Sequence, residues 1–141
     1  MDGALRFHFD VDGDNFTSAG AASVEVKKKL RQLGFSAEVI RRVSIAMYEG
    51  EINMVVHARG GKADVFVDKN CITIVLTDEG PGIKDIDLAM QEGYSTAPDN
   101  IRALGFGAGM GLPNMKRYTD SMQIASEVGK GTTVTMTVLV S

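Results

Sequence analysis

The chain lacks the features that mark several large classes of protein. Its single cysteine, Cys71, excludes an internal disulfide and a cysteine cluster for a metal. No apolar run approaches the roughly 20 residues that a membrane-spanning helix needs. The acidic start MDGALRFHFD is unlike a signal peptide. The net charge is only −3, which argues against a broad electrostatic surface for nucleic acid. We therefore expect a cytoplasmic protein that binds neither nucleic acid nor membrane.

What remains is the composition of an ordinary globular protein. Apolar residues make up 44% of the 141 residues and charged residues 23%. This length is enough for one domain with its own hydrophobic core, over residues 1–141.

The order of predicted elements defines the fold class. Alternating apolar residues predict strands at 4–11, 63–68, 71–78, 122–128 and 132–140. Two helices follow the first strand, and a third helix precedes the last hairpin. This order predicts an α+β fold, a two-layer sandwich whose mixed, mostly antiparallel sheet has helices on one face.

Capping signals place the first two helices. Apolar residues recur at helical spacing between positions 19 and 33, with Thr17 or Ser18 as the N-cap and Gly34 as the stop. Ser36 then caps a second helix that continues to about Ala58.

The second helix carries a polar pair, Glu49 and Asn53, four residues apart and so on one face. An amide oxygen can bind a hard cation such as Mg²⁺, and a carboxylate can accept a proton from a hydroxyl. A solvated pair on an amphipathic helix is the alternative interpretation. Glu51 points elsewhere, so its substitution is expected to matter little.

The stretch DEGPGI, residues 78–83, ends an apolar strand on two adjacent carboxylates, Asp78 and Glu79. Buried carboxylates are rare unless they are paired. We therefore expect one of the two to meet a partner outside the chain.

Glycines alternate before the third helix, which begins within residues 109–120 and tolerates Pro113 only in its first turn. Backbone amides at such a junction can bind phosphate, although a flexible loop is the alternative. The alternating glycines are Gly105, Gly107, Gly109 and Gly111. The stretch GKGT, residues 129–132, is not a P-loop and reads as a hairpin turn.

Taken in order, these four stretches resemble the Bergerat-fold (GHKL) ATP-binding superfamily of gyrase, heat-shock chaperones, histidine kinases and MutL. They are Glu-x-x-x-Asn on a helix, Asp-x-Gly-x-Gly after a strand, Gly-x-Gly-x-Gly before a helix, and Gly-Thr in a late hairpin. The resemblance covers residues 4–140. The stretches QEGYST, GMGLPNMKRYTD and GKGTTVTM are most similar to the small bacterial anti-sigma factors and switch serine/threonine kinases.

The resemblance implies a role for each matching residue. Asp78 would accept a hydrogen bond from the adenine amino group, Thr132 would support the base, Asn53 would bind Mg²⁺, and Glu49 would be the catalytic base. Residues 91–108 match a lid over the phosphates. The remaining nucleotide contacts implied are Gly80, Gly82, Ile83, Gly105, Gly107, Gly109, Gly111 and Leu112.

The function implied is an ATP- and Mg²⁺-dependent kinase that phosphorylates a STAS-domain anti-sigma factor antagonist. An anti-sigma factor that mainly sequesters a sigma factor, with ATP as a regulator of binding, is the alternative. Both functions are compatible with a homodimer. Gly50 departs from the family pattern, because a glycine in a helix interior costs roughly 1 kcal/mol relative to alanine. It could serve close packing or the approach of the nucleotide.

Overall fold

The computed structural model describes residues 5–12, 20–58, 60–80, 82, 90 and 111–140. In these residues three helices pack against one face of a five-stranded sheet. The elements in chain order are β1 (Leu5–Asp12), α1 (Ala21–Gln32), α2 (Ala37–Ala58), β2 (Gly60–Val67), β3 (Cys71–Asp78), α3 (Gly111–Arg117), β4 (Ser121–Glu127) and β5 (Gly131–Leu139). The predicted α+β class is confirmed, and the short helix predicted within residues 84–108 lies outside the described residues.

The strand order is β1-β2-β3-β5-β4, with β1 at one edge as predicted. Every pairing among the described strands is antiparallel, so the expectation of a mixed sheet is wrong in this respect. The reason is the pair of helices between β1 and β2. A single crossover helix returns the chain for a parallel strand, whereas a helical hairpin brings it back to the end from which it left.

The connection between α1 and α2 follows the capping signals in the sequence. Gly34 adopts φ +85° after the C-cap residue Leu33. The amide of Phe35 bonds to the Leu30 carbonyl at 3.2 Å, and that of Gly34 to the Arg31 carbonyl at 3.1 Å, which together form a Schellman motif. The Ser36 hydroxyl then accepts from the amide of Val39 at 3.2 Å, so the predicted N-cap of α2 is confirmed.

The start of α1 differs from the prediction. Its N-cap is Gly20, which has φ 93° and makes no side-chain cap, so the expectation that Thr17 or Ser18 caps this helix is wrong. Both residues lie outside the described part of the chain. The side chain of Glu51 on α2 takes over the capping role by accepting hydrogen bonds from the first amides of α1.

The core lies between the sheet and the helices. Burial alternates along β2, β3 and β5, so one side of each of these strands faces the helices. Fully buried side chains include Val26, Leu30, Val43, Met47, Val65, Ile72, Ile74, Met115, Met136 and Val138. In the part of the chain that the structure describes, no helix is long and apolar enough to cross a bilayer.

Candidate functional site

Glu49 and Asn53 share the face of α2 that meets α3, as their spacing predicts. Asn114 Nδ2 lies 3.5 Å from Glu49 Oε1, a long hydrogen bond. Asn53 Nδ2 lies 3.8 Å from Met115 Sδ. Two consecutive residues of α3 thus contact the two members of the pair.

Gly50 allows α2 to approach the sheet and α3 closely. A Cβ at this position would overlap Leu76 Cδ1 and lie 3.3 Å from Met115 Cε. Leu76 and Met115 are both buried, so neither can move away at low cost. Of the two roles that the sequence leaves open for Gly50, the structure therefore supports close packing.

The environment of Glu49 is suited to an acid–base group. Burial raises the pKa of its carboxyl above the ordinary value, and the hydrogen bond from Asn114 offsets part of that rise. A raised pKa brings a carboxylate closer to the pH at which it must take and release protons. Glu49 therefore has both the position and the electrostatics of a candidate general base.

Asp78 ends β3 and is half-buried, whereas Glu79 is exposed. Asp78 Oδ1 accepts a hydrogen bond from the amide of Gly80 at 2.9 Å, which forms the turn after the strand. Asp78 thus has one partner inside the chain, which the sequence did not predict. Within the described residues Oδ2 accepts no hydrogen bond, so this oxygen can accept one from a ligand.

Thr132 lies directly opposite Asp78 in the β3–β5 ladder, and Ser126 lies opposite Thr132 in the β4–β5 ladder. Partners across antiparallel strands point to the same side of the sheet, which here is the side that the helices cover. The Ser126 and Thr132 hydroxyl oxygens are 2.9 Å apart. The three side chains therefore form one polar row across three strands.

An open cleft of about 360 Å³ lies at this end of the sheet. Asp78 lines it, together with residues of the β4–β5 hairpin that include Ser126, Lys130 and Thr132. Gly131, with φ 135°, lets β5 approach the end of β3, since a Cβ there would overlap the carbonyl oxygen of Asp78. The GKGT stretch thus forms the predicted hairpin and also one wall of the cleft.

α2, which carries Glu49 and Asn53, passes close to the end of β3, which carries Asp78. A Cβ on Gly61 would lie 3.0 Å from Met54 Sδ and 3.2 Å from Asp78 Cα. Met54 follows Asn53 directly, so this turn of α2 lies over the strand end that carries Asp78. The structure therefore places the turn of α2 that follows Asn53 next to the strand end that carries the polar row.

The other residues predicted to contact the nucleotide differ in their surroundings, and some lie outside the described residues. The amide of Gly80 belongs to the turn at Asp78. Gly82 adopts φ +79° and packs closely against the backbone at Glu127 and Val128, so its conformation serves the turn. Gly111 begins α3, and Leu112 packs half-buried against the core. The predicted contacts outside the described residues are Ile83, Gly105, Gly107, Gly109 and the lid at 91–108.

Glu51 has a buried, structural environment that its position in the sequence does not indicate. It does point away from Glu49 and Asn53, but it is only 2% exposed. Its Oε1 accepts from the amide of Ser23 at 2.6 Å, and its Oε2 accepts from those of Gly20 and Ala22 at 3.1 and 3.2 Å. Glu51 thus caps α1 from a neighbouring helix, so we now expect its substitution to destabilise the protein, contrary to the expectation from the sequence.

The donor set around Asn53 fits a magnesium ion held mainly by a nucleotide. A thioether sulfur only accepts hydrogen bonds, so the Asn53 amide nitrogen faces Met115 and Oδ1 is the end that can bind a cation. Among the described residues there is no cluster of three or more His, Cys, Asp or Glu side chains that could hold a metal. Mg²⁺ usually takes one or two protein ligands and completes its shell with phosphate oxygens and water.

Sequence reasoning missed two polar residues of this region. Asn114 follows Gly111 by three positions and so lies on the same side of α3, a helical spacing that could have indicated it. Ser126 gave no local signal, because its proximity to Thr132 and Asp78 depends on the strand order and register.

Known proteins with similar sequences include anti-sigma F factors and a serine/threonine-protein kinase. The chain is 36% identical over 111 residues to an anti-sigma F factor of Thermoanaerobacter sp. strain X514, with 75% of this chain and 74% of the relative covered. It is 32% identical to the anti-sigma F factor of Clostridium acetobutylicum, over 94% of this chain and 89% of the relative. It is also 32% identical to the serine/threonine-protein kinase RsbT of Bacillus subtilis, over 74% of this chain and 75% of the relative.

Solved structures share the fold at low sequence identity. The RsbU and RsbW domains of a Mycobacterium tuberculosis protein align over 96% of this chain with a TM-score of 0.65 and 17% identity. The chain spans about a third of that structure, since 32% of it is covered. The mycobacterial sensor histidine kinase MprB aligns with a TM-score of 0.54, also at 17% identity.

The sequence also matches one family along most of its length. Residues 15–138 match the family described as the histidine kinase-like ATPase domain. This range includes the Glu49–Asn53 pair, Asp78 and Thr132. The chain therefore belongs to the histidine kinase-like ATPase domain family.

Proposed function

We propose that this protein is an ATP- and Mg²⁺-dependent serine/threonine kinase of a bacterial partner-switching system. Its substrate is a STAS-domain anti-sigma factor antagonist, and it acts in the cytoplasm as a single kinase domain. The observation that carries the proposal is the half-buried Glu49, which shares with Asn53 one face of the helix whose Met54 packs next to the end of β3 at Asp78. Similarity to a relative named as a serine/threonine-protein kinase supports it.

Each residue has a distinct part in the proposed reaction. The Asp78 carboxylate and the Thr132 hydroxyl bind the adenine edge, and Asn53 Oδ1 binds the magnesium ion. Bound Mg²⁺ neutralises charge on the phosphate oxygens. Glu49 accepts the proton of the substrate hydroxyl while that oxygen bonds to the γ-phosphorus and the bond to the departing ADP breaks. The added phosphate charge then changes which partner the substrate binds.

A single-turnover transfer assay with γ-labelled ATP and a STAS-domain protein tests these roles, with ATP binding measured in parallel. Glu49→Gln should keep ATP affinity near wild type and lower the transfer rate about 10²–10⁴-fold, the usual contribution of a positioned base. Phosphoryl transfer can be loose, which favours the low end of that range. Asn53→Ala should weaken Mg²⁺-dependent binding and transfer together.

The matched control is Glu38→Gln, which changes an exposed carboxylate near the start of the same helix. It should leave both binding and transfer unchanged. Transfer that survives Glu49→Gln at the wild-type rate would show that Glu49 is not the base.

A second candidate function is an anti-sigma factor that acts mainly by sequestering a sigma factor, with ATP regulating the complex. The names of two relatives favour it. Sequestration requires a stable complex at equal stoichiometry, whereas a kinase turns over many substrate molecules. A wild-type protein that forms such a complex and never transfers phosphate would favour this second function.

A further inference from the structure

The hydroxyl groups of Thr132 and Ser126 at the cleft form a short chain of hydrogen bonds that ends at the carbonyl of Gly131. The Ser126 hydroxyl lies 3.2 Å from the carbonyl oxygen of Gly131 and 2.9 Å from Thr132 Oγ1. Ser126 is half-buried and Thr132 is 8% exposed, so bulk water competes weakly for these contacts. Ser126 and Thr132 both line the cleft.

The chemistry of the three groups fixes the direction of these bonds. A carbonyl oxygen only accepts, so Ser126 must donate its proton to Gly131. A hydroxyl has one proton, and Ser126 cannot donate it a second time. Both contacts are therefore hydrogen bonds only if Thr132 donates its own proton to Ser126. The Thr132 oxygen then offers a lone pair, not a proton, to a ligand in the cleft.

We propose that Ser126 is a specificity-determining residue, which fixes the Thr132 hydroxyl as a hydrogen-bond acceptor. Together with the Asp78 carboxylate across the ladder, Thr132 then gives the cleft an edge made of acceptors. Such an edge favours a base with an exocyclic amino group and disfavours one with an oxo group at the same position. This inference rests on the proposed function in one respect, that the ligand of the cleft is a purine nucleotide.

Calorimetry with ADP and IDP tests this role, because IDP carries an oxo group in place of the 6-amino group, together with a proton at N1, and neither ligand carries a γ-phosphoryl group to transfer. The wild type should prefer ADP. Ser126→Ala releases the Thr132 proton, so that Thr132 can donate to an oxo group. We expect the ratio of ADP to IDP affinity to fall about fivefold, the usual effect of one neutral hydrogen bond.

Three further variants separate specificity from structure. Ser126→Thr restores the hydroxyl and should keep the wild-type ratio. Ser121→Ala removes an exposed hydroxyl at the other end of the same strand and should leave the ratio unchanged. In a Thr132→Val background Ser126→Ala should have no further effect on the ratio, since the hydroxyl that it controls is gone.

Each outcome bears on the inference. A ratio that falls in Ser126→Ala but not in Ser121→Ala or Ser126→Thr supports it. An unchanged ratio in Ser126→Ala, or an equal loss of affinity for both nucleotides, overturns this inference but does not contradict the proposed function. A wild-type protein that binds neither nucleotide overturns this inference and the proposed function together.

Discussion

Replacing Glu51 with glutamine should destabilise the protein even though the change is nearly isosteric. The wild-type carboxylate uses both oxygens, one for the amide of Ser23 and one for those of Gly20 and Ala22. A glutamine has one acceptor oxygen, and its amino group is a donor. Whichever way it is turned, a donor faces at least one backbone amide at the start of α1.

The expected size follows from the number of bonds lost. The less costly orientation loses only the Ser23 bond, and a buried amide without an acceptor costs about 1–3 kcal/mol. Loss of an N-cap typically costs about 1 kcal/mol and at most about 2. Both values describe the same lost contact, so we expect a loss of about 1–3 kcal/mol in the free energy of unfolding.

Urea unfolding followed by circular dichroism is the suitable assay, because the chain has no tryptophan. Glu25→Gln, which changes a carboxylate on α1 whose side chain is 51% exposed, is the control and should stay within about 0.5 kcal/mol of wild type. Hydrogen exchange should accelerate at Gly20, Ala22 and Ser23. Equal stability of the two variants would refute the capping role of Glu51.

The pH dependence gives a second check on Glu51. Burial raises the pKa of its carboxyl above 4.5, and hydrogen bonds from Ser23, Ala22 and Gly20 offset part of the rise. Between pH 4.5, the ordinary pKa that applies to the unfolded chain, and the higher pKa of the folded state, the folded protein binds more protons than the unfolded chain. The contribution of Glu51 to stability therefore falls as pH rises through that range. Because glutamine does not titrate, the advantage of wild type over Glu51→Gln should narrow above pH 4.5 and then become constant. An advantage that widens with pH would contradict the raised pKa.

Three other changes test the site and its scaffold. Asp78→Asn should weaken nucleotide binding by about 2–3 kcal/mol, because a charge-assisted bond is lost, and unchanged affinity by calorimetry would exclude Asp78 from base recognition. Gly50→Ala should cost about 1 kcal/mol net in urea unfolding, since overlap with Leu76 outweighs the gain in helix propensity. Combining it with Leu76→Val should relieve part of that cost, and strict additivity would contradict the packing role. Asn114→Leu removes a hydrogen bond that lowers the pKa of Glu49, so carbon-13 NMR titration should give a higher pKa for that carboxyl, and an unchanged value would exclude the contact.

Local signals in the sequence determined the elements and one half of the site. The Schellman glycine Gly34 and the cap Ser36 depend only on their immediate neighbours, so the boundary between α1 and α2 could be predicted. Glu49 and Asn53 lie on one face because of helical spacing alone. The turn after Asp78 follows equally from residues next to it.

The tertiary structure decided what depends on contacts between distant residues. The row of Asp78, Thr132 and Ser126 exists because β5 lies between β3 and β4 in one register, and a shift by one residue would turn Thr132 to the other face of the sheet. Helical spacing placed Glu51 on a different face from Glu49, but only the packing of α1 against α2 showed that this face is buried and that its carboxylate caps a helix. Helix propensity predicts only that Gly50 destabilises α2, whereas its closeness to Leu76 shows that a larger residue would not fit. Burial and cross-strand pairing are set by the whole chain, whereas helix spacing, caps and turns are set within a few residues.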